Sequence, residues 1–158
     1  MTQKYYDILG ADEDVPDDRF EKQTHIHRLD NELAGHIACG NTAGAVSCID
    51  RGADVDGDGI PVFPVLYSVI MRRHEILHFL LESGANPNKM YERHGTVFTS
   101  LDGRTPLVEA ALIGDLVMVK DLLGHGSDIY YKDDRGQGIL EYAGTPTMRD
   151  FLYQELAT

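Results

Sequence analysis

Apolar residues in this chain gather into short blocks of helical spacing, each followed by the same kind of turn. The blocks Val46–Ile49, Ile76–Leu81 and Val117–Leu123 lead into Gly52-Ala53-Asp54-Val55-Asp56, Gly84-Ala85-Asn86-Pro87-Asn88 and Gly126-Ser127-Asp128-Ile129-Tyr130. A glycine just past an apolar block is a helix stop, and an Asx residue two positions on suits a tight turn. Thr105-Pro106 stands before a further apolar run, Leu107 to Ile113, and places a capping hydroxyl ahead of a proline at the first helical position. Gly114 follows that run and suits a left-handed turn into the next helix. The pattern predicts paired short helices joined by tight turns, and no alternation of period two long enough for a sheet.

The unit recurs. Taking starts at Asn31, Phe63, Thr105 and Gly138, the steps are 32, 42 and 33 residues. Thr105-Pro106-Leu107-Val108-Glu109-Ala110-Ala111-Leu112-Ile113-Gly114, closed by the glycine-Asx turn, resembles the ankyrin repeat, which has a period of about 33 residues and a T-P-L-H-x-A opening. The resemblance implies an all-α solenoid of about four helix-turn-helix repeats, near 31–62, 63–104, 105–137 and 138–158, within a domain spanning 29–158. The long second step implies a lengthened hairpin, residues 89–101, between repeats two and three. The copies differ. Repeat two has Arg72 in place of the turn glycine, repeat one lacks the Thr-Pro opening, and in repeat four Pro146 falls where the first helix is expected to end. Degenerate end units are expected of a stack whose termini cap it.

Residues 1–28 form an N-terminal helical and acidic extension in this reading. Tyr5, Tyr6, Ile8 and Leu9 suggest a short amphipathic helix, Ala11 to Asp18 an acidic linker, and Phe20 to Leu29 a second helix. Lys4 to Gly10 resembles the opening of J-domain co-chaperones, but the His-Pro-Asp loop of that family is missing.

Charge narrows the partners. With 14 basic and 26 acidic residues among 158, the net charge is −12, which disfavours nucleic acid and anionic membrane surfaces. No apolar run reaches membrane-spanning length, since even Val62–Met71 is broken by Pro64, Tyr67 and Ser68. The start, MTQKYYDILG, lacks the apolar core of a secretory signal. Two cysteines, Cys39 and Cys48, offer little disulfide potential and fit a reducing compartment. A cytoplasmic, monomeric protein is expected.

Three patterns suggest chemistry. His74-Glu75-Ile76-Leu77-His78 matches H-E-x-x-H, in which two histidines on one helix face bind zinc and the glutamate acts on bound water. No third ligand stands at a family spacing, and the segment falls on the second helix of a repeat, so the expectation is structural residues and no metal or cofactor. Asp54-Val55-Asp56-Gly57-Asp58-Gly59 matches half of a calcium loop, yet Val65 stands where the bidentate glutamate belongs. His25, His27, His36 and Cys39 match no zinc module and are read as surface or cap residues.

The resemblance implies a non-catalytic protein-binding module acting through its concave face. In ankyrin proteins the contact positions lie near the ends of first helices, here Ala38 and Cys39, Ile70 and Met71, Leu112 and Ile113, and Thr145 and Pro146. Ile70, Met71, Leu112 and Ile113 would form one apolar patch. Tyr91, Arg93, His94 and Phe98 in the lengthened hairpin, with Arg104, Tyr131, Lys132 and Arg135 nearby, are side chains of the kind that interfaces use. An inhibitor, immunity or adaptor protein is the leading expectation. A host-directed effector that mimics a cellular partner, or a zinc hydrolase using His74, Glu75 and His78, are the alternatives.

Overall fold

The computed structural model describes residues 18–57, 63–90 and 103–158. The described residues are helical and contain no strand. Among the described residues eight helices follow in order: α1 (Asp18–Cys39), α2 (Thr42–Asp50), α3 (Pro64–Ile70), α4 (His74–Glu82), α5 (Pro106–Ile113), α6 (Leu116–Gly124), α7 (Ile139–Tyr142) and α8 (Pro146–Ala157). They pair as consecutive antiparallel hairpins. The odd helices form one row, in which α1 packs on α3, α3 on α5 and α5 on α7, while α2, α4 and α6 stack in a second row behind them.

The apolar blocks explain this two-row arrangement. Leu29, Leu33 and Ile37 recur every four residues on α1 and are fully buried, as are Ile76, Leu77 and Leu80 on α4 and Met118, Val119 and Leu122 on α6. Ala110 and Ala111 on α5 are also fully buried, and their small side chains let α3 and α7 approach closely. Cys48 belongs to this core, where burial pushes its thiol pKa up, whereas Cys39 is exposed.

Helix ends follow the sequence signals. Thr105 Oγ1 accepts from Val108 N at 3.3 Å, Asp115 Oδ1 from Met118 N at 3.2 Å and Asn41 Oδ1 from Gly44 N at 3.0 Å. Gly114 takes the left-handed conformation expected of it, with φ of 81°. The same position in the second pair is Arg72, at φ 55°, the one non-glycine described residue with positive φ.

The glycine-Asx turns are stitched into a ladder. Within each turn the first Asx accepts from the amide two residues on: Asp54 from Asp56, Asn86 from Asn88 and Asp128 from Tyr130, each at 2.9 Å. The second Asx reaches the next turn, Asp56 Oδ1 accepting from Asn86 N at 2.7 Å and Asn88 Oδ1 from Asp128 N at 2.8 Å. Asp30 on α1 supplies the missing first rung to Asp54 N at 2.9 Å. Arg73 ties the first two pairs together from the other end, donating to the carbonyls of Ile37 and Ala38 at 3.2 and 2.7 Å. Those carbonyls lie in the last turn of α1, where Ile37 O also accepts from Gly40 N at 3.2 Å.

Two features depart from the expected layout. No second short helix ends near Leu29: α1 runs unbroken from Asp18 into the first hairpin, so the later part of the extension, residues 18–28, and the opening of the first pair share one helix. Thr145 and Pro146 do not end the first helix of the last pair. They open its second helix, Thr145 Oγ1 capping Met148 N at 3.1 Å with Pro146 in the first turn. The preceding α7 is only four residues long, against eight in α5.

Two positions break the pattern of their sister units at a cost. Arg72 holds a conformation that costs an L-residue about 1 kcal/mol or more. Ser127 occupies the place of buried Ala53 and Ala85, and its Oγ has no partner among the described residues. Arg72→Gly is expected to raise stability by about 0.5–1 kcal/mol, after the greater freedom of glycine in the unfolded chain is counted. Ser127→Ala is expected to gain about 1 kcal/mol by removing a desolvated hydroxyl. Both should appear as higher urea midpoints with unchanged slope, and no change in midpoint would contradict them.

Candidate protein-binding surface

The tips of the odd helices carry the apolar candidates. Leu112 lies one residue before the end of α5 and is 39% exposed. Ile113, Ile70 and Met71 are half-buried, and Ile113 and Met71 also pack against the core. The expected patch of four open side chains is therefore one exposed leucine with three partly sunken neighbours. The neighbouring α7 is only four residues long, and the chain beyond it crosses the backbone at the end of α5, Gly144 N donating to Ala111 O at 3.0 Å. Cys39 and Ala38 continue the row on α1, exposed and half-buried respectively.

Tyr91, Arg93, His94 and Phe98 lie outside the described residues. Around the base of that segment, two expected contact residues turn inward. Tyr131 Oη donates to Gly103 O at 2.7 Å and its ring is half-buried; burial, helped by Asp134 and Asp133, pushes its phenol pKa up. Arg104 Nη1 binds Glu109 Oε2 at 3.1 Å, and its guanidinium lies 5.9 Å from the centre of the Tyr142 ring. Arg104 thus ties the residues before α5 to α5 and α7, and Tyr131 ties its own turn to Gly103.

Lys132 and Arg135 are exposed, as expected of contact residues. Asp133 fixes the turn that carries them. It accepts from the amides of Arg135 and Gln137 at 2.9 and 2.8 Å and from the Tyr142 hydroxyl, and this last bond contributes most to lowering its carboxyl pKa. The turn holds Asp133 and Asp134 beside the two cations, so its charge is mixed.

The H-E-x-x-H residues are engaged between helices of the second row. His74 Nε2 lies 2.8 Å from Oδ2 of Asp115, the N-cap residue of α6, and His78 Nδ1 lies 3.0 Å from Oδ1 of Asp121 within α6. Glu75 points the other way and accepts from Thr42 Oγ1 of α2 at 3.1 Å. The three side chains thus serve two different helix seams. Among the described residues no group of three or more His, Cys, Asp or Glu is arranged around one metal position. Asp54 and Asp56 are spent on the turn ladder, while Asp58 and Gly59 lie outside the described residues. His25 and His27 are exposed on α1, and His36 meets Asn41 at 3.2 Å. No described helix is long and apolar enough to cross a membrane.

No curated protein matches the sequence. Residues 102–134 match the family model described as Ankyrin repeat, and these residues form α5, α6 and the glycine-Asx turn that closes them. That match falls on the pair whose caps, turn glycine and buried alanines are all in place, and it identifies residues 102–134 as an ankyrin repeat.

Proposed function

We propose that this protein binds another protein through the tips of its odd helices and the turns beside them, and acts by occupying that partner, as an inhibitor, immunity protein or adaptor. Ankyrin repeats are protein–protein interaction modules, which supports binding as the role. The single observation that carries the choice of face is Leu112. It stands open at the end of α5 in a row with Ile113, Ile70 and Met71, and its exposure contributes nothing to the core. The exposed Lys132 and Arg135 are assigned to the same interface, as are Tyr91, Arg93, His94 and Phe98, which lie outside the described residues. Catalysis has no part in this reading.

The test compares two surface charges. Partner captured by the wild-type chain is titrated against Leu112→Glu and against Tyr153→Glu, which alters an exposed residue of α8. An unpaired charge in an interface core is expected to cost about 2 kcal/mol or more, close to a 30-fold rise in Kd, for Leu112→Glu alone. Equal binding by a folded Leu112→Glu protein would move the interface elsewhere.

A further inference from the structure

The seam between α4 and α6 concentrates histidine and carboxylate in a way that no other described seam does. His125 is the C-cap residue of α6, and both its ring nitrogens face oxygens that only accept. Nδ1 lies 2.8 Å from the backbone carbonyl of Asp121, and Nε2 lies 3.1 Å from Glu82 Oε1 across the seam on α4. A neutral imidazole has one N–H and satisfies one of these; the imidazolium has two and satisfies both. The position favours the cation further, because the last carbonyls of a helix carry partial negative charge. Asp121 Oδ1 is 3.4 Å from Nδ1 and also receives His78, whose ring meets that of His125 edge to face at 5.9 Å.

We propose that His125 is a proton-sensitive clamp, whose protonated ring fastens α4 to α6 and whose deprotonation loosens the seam between the second and third helix pairs. The charged and titratable groups of the seam are Glu75, His74, His78 and Glu82 from α4 and Asp115, Lys120 and Asp121 from α6 and its N-cap. Lys120 is drawn toward α8, where its Nζ stands 5.4 Å from the centre of the Phe151 ring. That leaves Glu82 and Asp121 as the carboxylates that hold His125. The His125 pKa is raised above the ordinary histidine value, first by the Asp121 carbonyl and then by Glu82, with burial opposing. A group whose folded pKa is raised contributes stability that is complete below its unfolded pKa, about 6.5, and lost as pH climbs through the folded value. The clamp is therefore closed in mildly acidic solution and opens on the alkaline side. It joins the pairs that carry Ile70 and Leu112, so its state would be felt at their tips, although the clamp itself does not depend on what those tips bind.

Two measurements on the whole chain test it. Ring-nitrogen NMR should show His125 keeping its second proton to higher pH than a histidine in an unfolded peptide, about 6.5, and Glu82→Gln should bring its midpoint down toward that value. The urea midpoint should fall between about pH 6 and pH 8 in the wild type, and His125→Gln should flatten most of that fall. Net charge alone would also weaken the protein with rising pH, but that slope would survive in His125→Gln. Titration of His125 at the unfolded-peptide value, or an unchanged slope in the variant, overturns the proposal. Should His125→Gln not fold, Glu82→Gln supplies the slope comparison, since Glu82 is exposed and carries no core packing.

Discussion

Gly144→Ala is expected to cost about 3 kcal/mol, although Gly144 is exposed and lies outside any helix. The reason is a backbone crossing. Gly144 N donates to Ala111 O at 3.0 Å, so the chain leaving α7 is strapped across the end of α5. A Cβ at Gly144 would stand 2.1 Å from Leu112 O and 3.0 Å from the carbonyl carbon behind it. Neither atom is the free end of a side chain. The strap must lift, losing its hydrogen bond and disturbing the Thr145 cap that starts α8. For a domain of this size the melting temperature should drop by about 6–12 °C. Gly35→Ala is the control: a Cβ there meets nothing within 4 Å, and alanine in an exposed helix interior should stabilise by about 0.5–1 kcal/mol. A loss below about 1 kcal/mol for Gly144→Ala would mean the strap moves aside freely.

The same strap shows where the sequence was readable and where it was not. Thr105-Pro106 and Gly114 could be placed from residue type alone, because each acts on its own backbone. Arg72 could be placed as well, since the spacing demanded a left-handed residue whether or not glycine stood there. Thr145-Pro146 is as good a cap and first-turn signal as Thr105-Pro106, but a fixed repeat length set it at the end of a helix. The chain instead shortens α7 and starts α8 at the signal, so local capping chemistry outweighed the period. The unbroken course of α1 had a different cause. Acidic residues in the first turns and Leu29, Leu33 and Ile37 beyond belong to one helix, and no glycine or proline lies between residues 18 and 34 to divide it.

Contact residues were the less legible half. Residue type identified Leu112, Lys132 and Arg135 as exposed side chains, but it could not say that Tyr131 and Arg104 turn inward. Gly103 O, the partner of Tyr131, lies 28 residues back, and the Tyr142 ring that Arg104 meets belongs to the next pair. The histidine seam was hidden for the same reason. His74, His78 and Glu82 lie on one helix, but the groups that give them meaning stand 41 to 43 residues further along the chain. The turn ladder lay closer to the surface of the sequence. An Asx at both the third and fifth places of a recurring turn is what a ladder with one rung inside and one rung across requires, and Tyr130 in the fifth place marks where it stops.

Leu80→Glu is expected to abolish folding at 25 °C, the largest effect of any single change considered. Leu80 is fully buried on α4, between Ile76, Leu77 and Leu81 on one helix and the neighbours α2, α3 and α6. Leu80→Ala alone should cost about 3 kcal/mol from lost burial and the cavity left behind. A carboxylate at the same place must either stay charged without a partner or hold a proton well above its usual pKa, and the added penalty approaches the whole stability of a domain, about 5–15 kcal/mol. The damage should not stay local. In a solenoid each unit is held mainly by its neighbours, and losing the second pair removes the α2–α4 and α4–α6 seams together. The far-ultraviolet circular dichroism of Leu80→Glu should therefore lack most of its helical signal, not a quarter of it. Leu112→Glu introduces the same side chain on a neighbouring pair, at a place already open to water, and should melt within about 2 °C of wild type. If Leu80→Glu melts alongside Leu112→Glu, α4 is not the spine of the stack.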